Sequence, residues 1–392
     1  MTAATRRSLR APAVVLFIAF VDIFALLPTV APHATMLGAG PAGIGIAVGA
    51  YSAANLPANI VGGILVDRVG RRRVTLLGLV AAAVAVAAYA LATTVASFVL
   101  VRLLHGVAGG VLIPAVFAVA GDRAPHGTEG RAFGRLGAVI GAAAVLAPAA
   151  AGVVRQLLGT TQVFLGVAGL LLVGAAVTAA AIHDQPATHG GRTIARDRAS
   201  AMRRLLQLPT VRRALTGTAI LTVAVGVLAG FLPGAVEALG APPAAVGGLF
   251  TVYALVAAGL MLSPVAGRVD RSGADGPLAL GLALLAGAMT VLTLAPSVTV
   301  AVGGAALFGA GYGLVFPAVA AATSSSSSLA TRGRAFGLFN VAFSLGLAVG
   351  PPAIGGLSQL VPVIDPFVPT AALCLVAAGV IAARARQRSL TP

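Results

Sequence analysis

Apolar runs of about twenty residues follow one another along almost the whole chain, each closed by a short polar break. An α-helix of that length crosses the hydrocarbon core of a bilayer. The pattern predicts spans at 11–32, 43–65, 74–94, 96–120, 133–154 and 161–182, then at 214–236, 244–266, 277–296, 298–321, 334–358 and 364–384. Between the two sets lies the longest polar stretch, 183–213, with seven arginines and two aspartates. We read it as a central loop, partly helical on the membrane surface. The chain therefore divides into a bundle at 1–182, the loop at 183–213 and a bundle at 214–392.

The second set of spans repeats the first. A shift of 203 residues carries Asp67-Arg68-x-Gly70 onto Asp270-Arg271-x-Gly273 and Gly106 onto Gly309. It carries Pro114-Ala-Val onto Pro317-Ala-Val and Gly130-Arg-Ala-Phe-Gly134 onto Gly333-Arg-Ala-Phe-Gly337. Pro148 and Gly152 fall on Pro351 and Gly355. One ungapped offset serving separate landmarks marks an internal duplication. The expected fold is all-α: an integral membrane protein of twelve transmembrane helices in two pseudo-symmetric six-helix bundles.

Composition agrees. With 392 residues, 58% hydrophobic and 9% charged, the chain is no soluble globular domain. Its net charge of +16 suggests a nucleic-acid surface until the charges are placed. All 26 basic side chains are arginine, and 24 lie in the terminal segments, the central loop or alternate short loops. That parity is the excess of positive charge found on the cytoplasmic side of membrane proteins. We therefore expect a multi-pass protein of the inner (plasma) membrane with both termini in the cytoplasm, and no nucleic-acid partner. Without lysine there is no Walker A loop and no Schiff-base chemistry. Neither His-Glu-x-x-His nor Gly-x-Ser-x-Gly occurs, and the histidines have no ligand-like spacing. An enzyme, a cofactor and a metal are therefore not expected. The single Cys374 excludes an intrachain disulfide. The first apolar run is too long for a signal h-region and carries Asp22 at its middle, so we do not read it as a cleavable leader.

The turn after span 2 reads Gly63-Ile-Leu-Val-Asp67-Arg68-Val-Gly70-Arg71-Arg72-Arg73. Its glycines suit a close approach of helix ends, and Gly70 suits a tight reversal. The acid can cap a helix or pair with a base, and the arginines hold the turn on the cytoplasmic side. Gly63-x-x-x-Asp67-Arg68-x-Gly70-Arg71-Arg72 resembles the motif joining transmembrane helices 2 and 3 of the major facilitator superfamily, and the resemblance extends over essentially the whole chain. It implies a transport site between the two halves near the midplane. It also implies that Asp67 and Arg71, with Asp122 and the start of span 11 near Gly333, latch the cytoplasmic face. Asp270 and Arg271 form a degenerate second latch, because Ala274 and Asp275 replace the arginines.

Asp22, Arg102 and His105 lie well inside spans. Asp22 falls near the middle of span 1, where a charge costs at least ~2.5–3.5 kcal/mol, so it should face an interior cavity or be protonated. Leu100-Val-Arg102-Leu-Leu-His105-Gly106 resembles the family's span-4 motif, with histidine in place of glutamine. In proton-coupled relatives this arginine sets the proton affinity of a membrane acid; equally, Arg102 here can pin span 4 to span 1. His105 is either a proton relay or a core histidine bonded to a backbone carbonyl. His33 and Glu237 fall at outer span ends and read as interfacial.

Candidate cavity residues are Tyr51, Asn55 and Asn59 on one face of span 2, and Asn340 and Ser344 in span 11. Phe308, Tyr312 and Phe316 share a face of span 10, with Phe20, Phe24, Phe231 and Tyr253 adding aromatic surface. Core packing is the alternative for each. Such a lining suits hydrophobic or amphipathic, often cationic, molecules better than sugars. Span 5 carries Ala147-Pro148-Ala-Ala-Ala-Gly152 where antiporters of the family have Gly-Pro-x-x-Gly-Gly, while span 11 keeps Gly350-Pro351 and Gly355-Gly356. We expect helix bends at both. The reading is a monomeric drug:proton antiporter in the lipid bilayer, driven by the proton gradient, exporting small molecules by alternating access. A proton-coupled importer or exporter of a sugar or other small metabolite is the alternative.

Overall fold

The computed structural model of the protein describes residues 10–122, 129–182, 206–263, 274–325 and 332–390. Among these, α1 (Arg10–Ala25), α2 (Val30–Met36), α3 (Pro41–Val69), α4 (Arg71–Ala88), α5 (Val95–Asp122), α6 (Glu129–Leu158) and α7 (Thr160–Ala181) make the first half. The second half holds α8 (Pro209–Ala238), α9 (Pro243–Leu262), α10 (Asp275–Thr293), α11 (Val298–Ser325), α12 (Arg332–Leu360) and α13 (Phe367–Leu390). Eleven of these helices are long and apolar enough to cross a membrane, and α1 with α2 supplies a twelfth span bent by 42°. Span 1 is thus α1–α2, and spans 2 to 12 are α3 to α13. Asp270 and Arg271 lie outside the described residues.

Span 1 is not the unbroken helix read from 11–32. It stops at Ala25 and resumes at Val30. Pro28 has no N–H to donate and disfavours helical geometry at Leu27, which breaks the ladder. Thr29 covers part of the gap by donating its hydroxyl to the Ala25 carbonyl at 3.0 Å. Elsewhere proline starts helices: Pro41, Pro209 and Pro243 open α3, α8 and α9 where no N–H is needed. Gly70, with φ +97°, turns α3 directly into α4. Buried Thr178, Thr218 and Thr323 return their hydroxyls to carbonyls one turn earlier, satisfying donors that lipid would strand.

Each half has its own buried apolar cluster, one running from Val15 to Ile182 and the other from Ala214 to Ile381. Small residues bring the helices close. A Cβ on Gly62 would lie 2.8 Å from Val111 Cα, and one on Gly281 2.9 Å from the Gly311 carbonyl. In lipid this close van der Waals packing replaces the missing hydrophobic drive. The close approach expected at Gly63 belongs to its neighbour Gly62, since a Cβ on Gly63 would meet nothing within 4 Å.

The halves meet along spans 2 and 11 and along spans 5 and 8, toward the ends away from the arginine-rich loops. A Cβ on Gly45 would overlap the Pro351 carbonyl, and one on Gly355 the Pro41 carbonyl. The duplication repeats the arrangement: Gly247 seats on the Pro148 carbonyl, and a Cβ on Gly152 would lie 2.8 Å from the Pro243 carbonyl. Side-chain amides add to the backbone seam. Ala42 N–H donates to Gln359 Oε1 at 3.1 Å, and Ala244 N–H to Gln156 Oε1 at 3.3 Å. These contacts join the two halves at their arginine-poor ends.

Candidate functional site

The break in span 1 leaves Asp22 in the last turn of α1, 1% exposed and facing spans 3 and 4. Its Oδ2 lies 2.9 Å from His105 Nε2. His105 Nδ1 lies 2.8 Å from the Tyr89 hydroxyl, presented by a 3-10 turn at the end of span 3. Arg102 donates from Nη1 to that hydroxyl at 3.2 Å, from Nε to the Ala47 carbonyl at 2.9 Å and from Nη2 to the Val48 carbonyl at 3.3 Å. The guanidinium carbon stands 5.2 Å from the centroid of Tyr51 and 5.9 Å from that of Tyr89. Arg102 and His105 share a helix face because they are three residues apart, within one turn. One acid and one guanidinium, both buried, are thereby joined through the His105 ring and the Tyr89 hydroxyl.

This differs from the sequence reading in two ways. The residue holding Asp22 is His105, not Arg102, and His105 bonds two side chains instead of a backbone carbonyl. Arg102 pins span 4 to span 2, not to span 1. The cause is depth: Arg102 lies one turn nearer the arginine-poor end than His105, level with Ala47 and Val48. Tyr89 went unnoticed because its role depends on a 3-10 turn and not on a motif.

A second set of charges joins the halves. Arg155 of span 5 donates to Glu237 of span 7, and also to the Pro28 carbonyl freed by the break in span 1, at 2.6 Å. Glu237 is thus an ion-pair partner and not merely interfacial, and Arg155 is the one arginine in the arginine-poor loops. That isolation was the available signal. His33, also read as interfacial, is buried edge-on to Phe98 and Phe164, with ring centroids 4.8 and 5.0 Å away.

The cavity candidates separate into two aromatic groups. Phe20 stacks on Phe24 at 6.0 Å and meets Phe117 edge-on at 6.5 Å. In the second half Tyr253 meets Tyr312 at 5.4 Å, Tyr312 stacks on Phe316 at 5.6 Å, and Phe316 meets Phe339 at 6.0 Å. Phe308 does not line a cavity; it is 0% exposed and packed edge-on to Tyr253. Asn55, Asn59, Phe231 and Ser344 are half-buried, and Asn340 is exposed. Phe117 and Phe339 were not singled out, since neither shares a helix face with the polar stripes.

At the arginine-rich face Asp67 and Arg68 are exposed, Arg71 is half-buried, and Asp122 closes α5. Arg72 reaches across to the Ala179 carbonyl at 2.7 Å, capping the end of span 6. In the second half Asp275, one of the residues read as spoiling the latch, pairs instead with buried Arg213 at 3.2 Å. Pro148, Gly152 and Pro351 form the seam already described. Gly350 packs span 11 on span 7, where a Cβ would lie 2.8 Å from the Val223 side chain.

The family model described as Major Facilitator Superfamily matches residues 13–215 and 214–391. Among curated relatives, a staphyloferrin B transporter of Staphylococcus aureus is 34% identical over 129 residues, 33% of this chain and 31% of that protein. The quinolone resistance protein NorA of Staphylococcus aureus is 24% identical over 141 residues, 36% of each chain. The chain thus spans about a third of the length of the curated relatives it matches. A crystallised bacterial homologue of the human lysosomal transporter Spinster, inward-facing and unoccupied, superposes with a TM-score of 0.80 at 16% identity over 97% of both chains. A mutant of the nucleoside transporter NupG gives 0.81 at 14% identity, over 95% of this chain and 96% of that one. These structures share the fold.

Proposed function

The chain belongs to the major facilitator superfamily and is a multi-pass membrane transporter, not an enzyme; on that premise we propose that it exports hydrophobic or amphipathic small molecules in exchange for protons. The observation that carries this reading is Asp22. It is a carboxyl group buried at the middle of the bundle and held by a histidine–tyrosine bridge to a buried arginine. An intramembrane acid so placed has little structural use and the right position to bind a transported proton. Two aromatic clusters supply surface for apolar or cationic cargo, since ring faces attract both. Similarity to a quinolone resistance protein favours export of foreign molecules over uptake of a sugar.

The excess of arginine in alternate loops supports termini on the cytoplasmic side of a cell membrane. On that reading, the halves here meet at their outer ends, as in a conformation closed to the outside. Alternating access requires the glycine–proline seam and the Arg155–Glu237 pair to part while the cytoplasmic latch around Asp67 and Arg71 closes. One proton moving down 100 mV and one pH unit supplies roughly 3–4 kcal/mol, enough for a gradient of a few hundredfold in a neutral cargo.

The test is transport by purified protein in liposomes of defined orientation, with ethidium as the probe cargo and a pH gradient imposed. We expect uptake toward the acidic side, collapsed by a protonophore. Dye movement that ignores the gradient would remove proton exchange from this reading, and movement toward the alkaline side would make the protein an importer.

A further inference from the structure

The hydrogen bonds around Asp22 run in one direction only. Arg102 has no acceptor, so the Tyr89 oxygen accepts from it. The single Tyr89 hydrogen then goes to His105 Nδ1 at 2.8 Å. Nδ1, being an acceptor, carries no proton. The ring proton is therefore on Nε2, and it is donated to Asp22 Oδ2 at 2.9 Å. Protonating His105 would put hydrogens on both nitrogens and strand the Tyr89 hydroxyl between two donors. Among the described residues one acceptor of this network stays open: Asp22 Oδ1, buried and without a hydrogen-bond partner.

The other ionisable groups facing the chain do not alter this. Tyr51 of span 2 stands edge-on to His105 with centroids 4.9 Å apart, and Arg102 donates to the Tyr89 hydroxyl and to two carbonyls. His33 lies beyond Phe98 and Phe164, both of which flank Tyr89. Spans 5 and 6, packed on span 1, carry between residues 136 and 182 only Arg155, which is committed to Pro28 and Glu237.

Resting on the reading that Asp22 is the coupling acid, we propose that His105 is a fixed neutral donor oriented by Tyr89, and that the exchanged proton binds Asp22 Oδ1. His105 is then a positioning residue and not a proton carrier. Through Tyr89 it also transmits the pull of Arg102. A donor at Nδ1 makes Nε2–H a stronger donor, which stabilises the carboxylate and favours proton release.

Two spectra of the full-length protein in lipid test this without knowledge of the cargo. Infrared difference spectra taken across pH follow the protonated carboxyl band, and 15N spectra of histidine-labelled protein follow the His105 ring. We expect the carboxyl band to vanish in Asp22→Asn and persist in His105→Gln, whose amide can both donate to Oδ2 and accept from Tyr89. In the unsubstituted protein the His105 signals should stay those of a neutral ring protonated at Nε2 while Asp22 titrates. Tyr89→Phe should move the carboxyl titration toward higher pH by roughly three- to tenfold in proton concentration. A His105 ring that becomes doubly protonated as the carboxyl titrates overturns the proposal, as does a carboxyl band lost in His105→Gln. A band that survives in Asp22→Asn overturns instead the reading of Asp22 as the coupling acid.

Discussion

The two halves share a skeleton and differ in chemistry. Gly106 lies against the Tyr51 carbonyl in the first half, as Gly309 lies against the Tyr253 carbonyl, 2.5 Å from an added Cβ, in the second. Yet 202 residues after Asp22, at the offset of the Tyr51–Tyr253 pair, stands Ala224, and 203 residues after Tyr89, Arg102 and His105 stand Leu292, Ala305 and Phe308. Where the first half buries an acid, a base and a relay of hydroxyl and imidazole, the second buries hydrocarbon. The contrast separates two requirements. Backbone contact at small residues specifies how the helices pack, and it is present twice. Under the proposed coupling a proton site is needed once, and a second buried acid at the equivalent positions would add desolvation cost with no further proton site.

Six substitutions break or sharpen that contrast. Asp22→Asn should abolish the gradient dependence of ethidium transport in liposomes while leaving the protein folded by circular dichroism. Replacing equivalent residues with leucine should separate the halves next. His105→Leu strands a buried carboxylate and should cost about 3–5 kcal/mol. Phe308→Leu only trims a packed ring and should cost about 1–2 kcal/mol with proton coupling intact. Thermal unfolding in detergent, paired with transport, measures both. Valine at Gly45 or Gly247 should overpack the seam by about 1–3 kcal/mol. The duplication predicts similar effects for the two, read as faster labelling of a cysteine placed at Gln359 by an impermeant maleimide. Glu237→Gln should act least. The pair it weakens is partly exposed and worth ~0.2–1 kcal/mol, so labelling should rise only a few-fold.

Much of this contrast was legible in the sequence. The offset of 203, the arginine parity and the position of Asp22 needed only counting, because bilayer thickness and charge asymmetry act on single segments. What escaped needed spans that are distant in the chain to be set side by side. The Asp22–His105 bond closes a separation of 83 residues, and Arg155–Glu237 one of 82 between halves. Arg102 invited pairing with the acid by charge alone. Its true acceptors, the carbonyls of Ala47 and Val48, are backbone atoms that no residue pattern reveals. The break in span 1 did have a sequence signal in Pro28, but a proline near a span end is compatible with either a kink or an interruption.

At Gly45, Gly152, Gly247 and Gly355 the seam is main chain against proline carbonyls, so its fit rests on backbone position more than on side-chain identity. If Phe24, Tyr312 and Asn340 line the route of a cargo as proposed, a lineage can exchange them and take on new molecules without rebuilding that contact.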